Sequence, residues 1–214
     1  MLARKVTAAK ADLADPTSAV WAQAQVMPVA LIPTPLGLQP SPWLVQAFDG
    51  RSYGKLAAAG LSFLHNGQLI AARVEWAVPT PAVSTRGPDE FADACAVILP
   101  FVKDAPLITM GSVDQWVNMW LWRADGVGPF TVTAAGLGTT QRMQDGVLEA
   151  GGIYRDGRWR VAFVRPLAPG NSQDHVSLKP GTPWQVSLAL WQGANQERAG
   201  LKSFSPGWMP LEIA

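Results

Sequence analysis

The chain has 214 residues, room for one domain or for one with an elaboration, and a chain of this size buries on the order of 70% of its unfolded surface without needing a disulfide. Seventeen Lys and Arg against sixteen Asp and Glu leave a net charge of +1, which excludes both the basic field that nucleic-acid binding needs and any charged tail. Only 15% of residues are charged while ten are tryptophan, which predicts a surface partly covered by a partner or a flat apolar ligand; the plainer reading is an aromatic-packed core.

In chain order, residues 7–14 have short helical potential, stopped at Pro16. Five prolines between Pro28 and Pro42 forbid a helix there and predict an extended segment crossing the domain surface, so residues 1–60 read as an N-terminal, proline-rich segment packed on the rest. Residues 61–65 and 68–76 flank Asn66-Gly67, the strongest short hairpin signal, with both turn residues expected at positive φ. His65, immediately before the turn, is expected at the solvent edge. Residues 79–88 form a loop, and 93–99 a buried strand closed by Pro100. Strands follow at 117–122 and 130–134, then a polar, helical or turn-like insert at 139–146. Residues 152–155 and 158–165 flank Asp156-Gly157 as a second hairpin, with Trp159, Val161 and Phe163 on one face. A turn at 180–183, a strand at 185–191 and a Gly- and Asn-rich loop at 192–201 complete the series. Short strands spaced by turns, with almost no 3.6-residue periodicity, predict an all-β antiparallel sandwich with a few short helical inserts, a single domain over 1–214.

Few catalytic patterns survive inspection. Cys95 lies in the apolar run 94–99 and reads as a small buried hydrophobe. No C-x-x-C or C-x-x-C-H occurs, which excludes a c-type haem attachment and a four-cysteine zinc or iron–sulfur site. His65 and His175 are too few for a histidine-rich metal site, and a bis-histidine haem would need that very pair. Ser172, Asp174 and His175 are neighbours in sequence and read as loop decoration, and nothing selects a pair among Asp89, Asp93, Asp104 and Asp114. There is no G-x-S-x-G, P-loop or dinucleotide fingerprint, so the chain is not expected to be an enzyme by itself. No apolar run approaches 18 residues, so no membrane span is expected. Asp12 and Asp15 fall where the apolar core of a Sec signal would be.

The stretch 106–123, PLITMGSVDQWVNMWLWR, carries the most information. It sets Met110, a lone sulfur ligand candidate, on a Met-Gly step ahead of an aromatic strand. Trp116, Asn118, Trp120 and Trp122 share a parity, so a strand aims them at one face, either a sandwich core or a ligand wall.

MGSVDQWVNMWLWR, GIYRDGRWRVAFVRPL and LALWQGANQERAGLKSFS, in that order, resemble the gamma subunits of the type II branch of the dimethyl-sulfoxide-reductase family of molybdenum enzymes, closest to the ethylbenzene and steroid C25 dehydrogenase type. FLHNGQLIAARVEWA and FADACAVILP fit too, so the likeness runs over residues 61–212. Trp116 departs from the proline common before Val-Asn in that family. The resemblance implies one non-covalent b-type haem with methionine and lysine as axial iron ligands, carried over to Met110 and Lys202, and no molybdenum or iron–sulfur cluster in this chain. It implies an electron-transfer subunit in a heterotrimer with a molybdopterin alpha subunit and an iron–sulfur beta subunit, exchanging electrons with a soluble cytochrome c-type partner. It also implies periplasmic location, by export with a twin-Arg partner. Among the six lysines Lys179 is the rival of Lys202, and Met143 is the rival of Met110. Arg142, Arg165 and Arg198 are possible partners of the haem propionates, none singled out. The alternative reading is a sandwich that binds carbohydrate on exposed tryptophans.

Overall fold

The computed structural model describes residues 1–214. The elements in order are β1 (Leu2–Lys5), α1 (Lys10–Ala14), β2 (Met27–Ala30), β3 (Ile32–Pro33), α2 (Pro42–Phe48), β4 (Ala58–His65), β5 (Leu69–Ala77), β6 (Ala94–Pro100), β7 (Val117–Arg123), β8 (Phe130–Ala134), β9 (Gln141–Met143), β10 (Glu149–Arg155), β11 (Arg158–Pro166), β12 (Trp184–Trp191), β13 (Ser203–Phe204) and β14 (Met209–Ile213). Strand order runs β10-β11-β5-β4-β1-β14-β12-β6-β7-β8-β9. Every pairing is antiparallel except those of β1, which lies parallel to both β4 and β14 and joins the two halves of the sandwich.

Each half buries one face against the other. Phe63, Val74, Trp76, Trp159, Val161 and Phe163 from the first half meet Cys95, Val97, Trp120, Trp122 and Leu188 from the second in a cluster of 29 buried residues, the main core. Trp76, Trp122 and Trp159 pack on one another with ring centroids 5.0–6.3 Å apart, the offset and edge-on geometry that aromatic rings prefer. The outer face of the first half is covered by the N-terminal segment, where Leu13 and Trp21 sit over Leu64, Ala71, Ala162 and Val164. The outer face of the second half carries a separate apolar cluster that includes Ala96, Val117, Met119, Val132 and Phe204. Cys95 is wholly buried, and burial holds its thiol pKa well above the ordinary value.

The turn chemistry is local and mostly as the sequence predicts. Asp156 and Gly157, at φ 53° and 74°, make the two-residue turn between β10 and β11. At Asn66-Gly67 only Gly67 takes a positive φ, 94°. The Asn66 side chain instead accepts from the backbone N–H groups of Gln68 and Leu69, giving a three-residue loop.

Four expectations are corrected. The insert 139–146 holds a strand, β9, paired to β8, because Gln141–Met143 extend the sheet edge. The proline-rich segment ends in a helix: α2 starts on Pro42, where a missing N–H costs nothing, and the Ser41 hydroxyl accepts from Leu44 N–H at 3.4 Å. His65 is buried, because β1 pairs beside it and covers it. The tryptophans do not form the surface: only Trp43 and Trp116 are exposed, and Trp120 and Trp122 belong to the core between the sheets.

Candidate functional site

The aromatic parity of β7 matters through its opposite face. With Trp120 and Trp122 turned inward, Met119 and Leu121 point outward, and on the antiparallel neighbours Ala94 and Ala96 of β6 and Val132 of β8 do the same. These side chains, with Trp191 at the end of β12, form the apolar floor of a cleft of about 1130 Å³, a figure that includes solvent at its mouth. Alanine at 94 and 96 leaves room that a larger side chain would occupy. Met110 also lines this cleft.

Met110 is held there by a turn between β6 and β7. Its N–H donates to Leu107 O at 2.9 Å, its carbonyl accepts from Gly136 N–H at 3.1 Å, and Gly111 N–H donates to Pro106 O at 2.7 Å. Met110 and Gly111 both take left-handed backbone conformations, φ 58° and 89°. A Cβ at Gly111 would stand 2.6 Å from Gln115 O and 2.9 Å from Ala134 O, so only glycine fits. The Met-Gly step is thus a geometric requirement: it turns the thioether back toward the sheet.

Lys202 arrives from the other end of the chain. Thr34 N–H donates to Lys202 O at 3.0 Å, and the Thr34 hydroxyl accepts from Lys202 N–H at 3.3 Å and donates to Gly200 O at 2.6 Å. Glu197, buried in the same QERAGLKS run, accepts from Gly54 N–H, Gln192 N–H and Asn195 Nδ2 at 2.7–2.9 Å, which fixes the loop before it. A Cβ at Gly200 would lie 1.8 Å from Gln39 Oε1, so any larger residue there would have to push the Gln39 side chain aside. The proline-rich N-terminal segment therefore acts as the strap that aims Lys202.

The two predicted ligands meet. Lys202 Nζ donates to Met110 Sδ at 3.6 Å and lies 5.5 Å from the centroid of Trp191. Lys202 is only 4% exposed and forms no ion pair, and burial lowers its pKa from 10.5 to about 8. At pH 7 that raises the neutral, donor-capable fraction from about one in three thousand to about one in ten. A soft thioether and a partly neutral amine, facing each other beside an apolar cleft, suit a first-row metal carried in an apolar frame.

The rivals lie elsewhere. Met143 sits on β9 opposite Thr131, a register that turns it away from the cleft, whereas Arg142 opposes Val132 and faces it. Lys179 is exposed, and its carbonyl accepts from Trp184 Nε1. Trp116 is a surface residue whose Nε1 donates to Val113 O at 2.7 Å. Ser172, Asp174 and His175 do not assemble: His175 is buried with Nε2 2.7 Å from Asp145, while Asp174 takes the side chain of Asn171. Asp93 is a structural acceptor, bonded to Ala82 N–H, Gly193 N–H and Trp159 Nε1 at 2.8–2.9 Å. Arg165 is wholly buried, away from the cleft, against Trp120. Glu197 was not foreseen; its signal was a lone acid inside an otherwise recognisable loop motif.

The chain is similar to several known proteins. The chain matches the family model described as ethylbenzene dehydrogenase over residues 18–147 and 135–203. It is 30% identical over 211 residues to the chlorate reductase gamma subunit of Ideonella dechloratans, covering 98% of this chain and 84% of that one. A protein of Haloferax mediterranei named for the heme subunit of a respiratory nitrate reductase is 31% identical over 191 residues, covering 89% of this chain and 65% of that one. The dimethylsulfide dehydrogenase gamma subunit of Rhodovulum sulfidophilum is 34% identical over 145 residues, covering 64% and 53%. Among solved structures, a carbohydrate binding module of family 9 from Caldicellulosiruptor kristjanssonii, in complex with glucose, superposes with a TM-score of 0.57 at 10% identity, covering 100% of this chain and 95% of that one. That likeness shows the β-sandwich fold alone. The chain therefore belongs to the ethylbenzene dehydrogenase family, among the gamma subunits of the type II molybdenum enzymes.

Proposed function

We propose that this chain is a haem-carrying electron-transfer subunit, holding one b-type haem non-covalently with the Met110 thioether and the Lys202 amine as axial donors. The observation that carries the reading is the 3.6 Å approach of Lys202 Nζ to Met110 Sδ beside the apolar cleft. The donors fit the group. Zinc, a first-row guide, takes bonds of about 2.3 Å to sulfur and about 2.0 Å to nitrogen, so a metal between the two needs about 4.3 Å, under an ångström more than the flexible side chains now leave. Sulfur and a neutral amine add no charge, and the floor of Ala96, Met119, Leu121 and Val132 offers a flat apolar ring a dry seat.

Bound haem supplies a one-electron iron couple. The residues of the chain set its character. Met110 would favour the reduced ion, and Lys202, with its proton partly released by burial, would supply the second donor, so the chain's own side chains would keep substrate and oxygen off the iron. Such a site relays electrons, and catalysis belongs to another subunit. In the fuller reading, a molybdopterin alpha subunit and an iron–sulfur beta subunit complete a heterotrimer. A soluble cytochrome c-type protein exchanges electrons with the haem, and the assembly reaches the periplasm with a twin-Arg partner. The gamma-subunit names of the relatives support this arrangement. No helix is long and apolar enough to cross a membrane. The whole chain, residues 1–214, acts in this reading as one haem-binding domain.

Haem-replete expression tests the proposal: the reading expects a Soret band with a low-spin, six-coordinate spectrum, and Met110→Ala and Lys202→Ala each changing the spin state. Colourless protein overturns it. The carbohydrate-binding alternative has few platforms, since only Trp43 and Trp116 of the ten tryptophans are exposed.

A further inference from the structure

The cleft has two zones. Its inner zone is apolar and reaches Met110; an outer basin is lined by Ser41, Thr85, Gly87 and Glu90. Three arginines, Arg123, Arg142 and Arg198, line both zones and so stand at the boundary between them. In a chain with only 15% charged residues, three guanidinium groups on one rim are a local excess. Arg123 is committed to Asp125. Arg142 and Arg198 form no ion pair. Unpaired arginines occur elsewhere on the surface; these two differ by where they stand and by how they are held. Arg142 is 5.8 Å from the Phe130 ring centroid. Arg198 lies 4.6 Å from Phe91 and 5.5 Å from Phe48, and its Nη1 donates to Gln196 O at 2.9 Å. The nearby acids are already occupied: Glu197 by backbone and Asn195 donors, Glu90 by Ser84 and Gly87 N–H.

A ligand with an apolar body and carboxylates at one edge matches this layout, with its body inside and its charges at the rim. We propose that Arg142 and Arg198 are a carboxylate clamp at the mouth of the cleft, taking the two propionates of a porphyrin dicarboxylate whose ring lies on the floor formed by β6, β7 and β8. The proposal rests on the haem reading above and deepens it. Guanidinium–carboxylate pairs are geometrically specific, so the clamp fixes which edge of the ring faces out.

The test titrates the full, haem-free chain with haem b and, separately, with haem b dimethyl ester, whose propionates carry no charge. The readout is the ratio of the two dissociation constants, taken from absorbance. The free acid is expected to bind about tenfold or more tightly than the ester. That ratio collapses toward one in the Arg142→Gln, Arg198→Gln double variant, recovers in part in the double Lys variant, and is unchanged in Arg158→Gln on the far hairpin. If haem binds and the ester binds equally well to the unaltered chain, the clamp is wrong and the haem reading stands. An equal loss in Arg158→Gln also overturns the clamp, by making the effect one of net charge. If neither compound binds, both readings fall together.

Discussion

Lys202→Met replaces a buried amine by an uncharged side chain of similar length, and its effect on the haem-free chain follows from one number. Burial lowers the Lys202 pKa from 10.5 to about 8. Below pH 8 the amine is protonated in both folded and unfolded chains, and the folded chain carries the full cost of a buried charge. Between pH 8 and 10.5 the unfolded chain still binds the proton while the folded one has released it, so stability rises with pH across that window. The total rise is about 3 kcal/mol, from about 1.4 kcal/mol for each unit of pKa change. The variant lacks this cost. It is expected to be more stable than the parent by up to about 3 kcal/mol at pH 7, with the difference closing by pH 10.5. Urea unfolding of both haem-free proteins at pH 7, 8, 9 and 10.5 reads it. The comparison must be parent against variant, because other lysines and Tyr53, whose pKa burial raises, titrate nearby. A parent–variant difference that stays constant over this range refutes the reasoning.

Other substitutions probe the supports. Gly111→Ala drives a Cβ into Gln115 O and Ala134 O at a left-handed position; thermal unfolding should show a loss on the order of 2 kcal/mol, and haem affinity should fall with it. Asp93→Ala leaves three donors, two of them buried, without their acceptor, so denaturant unfolding should show about 3–5 kcal/mol lost while the spectrum of any folded, haem-loaded protein stays unchanged. Met143→Ala and Lys179→Ala, which remove residues away from the cleft, should leave the haem spectrum as it is; a change of spin state in either reassigns an axial ligand.

Much of the sandwich was legible because its signals are local. The Asp156-Gly157 turn, the alternation along 158–165 and the apolar run at 94–99 each declare a strand within ten residues. What stayed hidden depends on distant partners. β1 reads LARK, too short and mixed to announce a strand, and becomes one only because β4 and β14, some 60 and 210 residues away, offer it an open edge on either side. β9, three residues long, is likewise recruited by β8. His65 looked like a turn neighbour because nothing nearby in sequence announces that β1 covers it. At the site, the Met-Gly step could be read directly, since a residue pair that must turn sharply leaves a glycine as its trace. The strap that aims Lys202 could not: Thr34 bonds Lys202 and Gln39 bonds Gly200 across more than 160 residues. The shared parity holds for Trp120 and Trp122, which lie in β7 and fill the core, while Trp116 stands before the strand and is exposed. The cleft belongs to the alternate residues Met119 and Leu121.

The most direct test of the central claim is a pair of absorption spectra, oxidised and dithionite-reduced, of the full chain expressed with haem supplied. The account predicts a low-spin, six-coordinate b-type haem that turns five-coordinate or high-spin in both Met110→Ala and Lys202→Ala. A chain that folds yet takes up no haem, or one whose spectrum is indifferent to both substitutions, contradicts it.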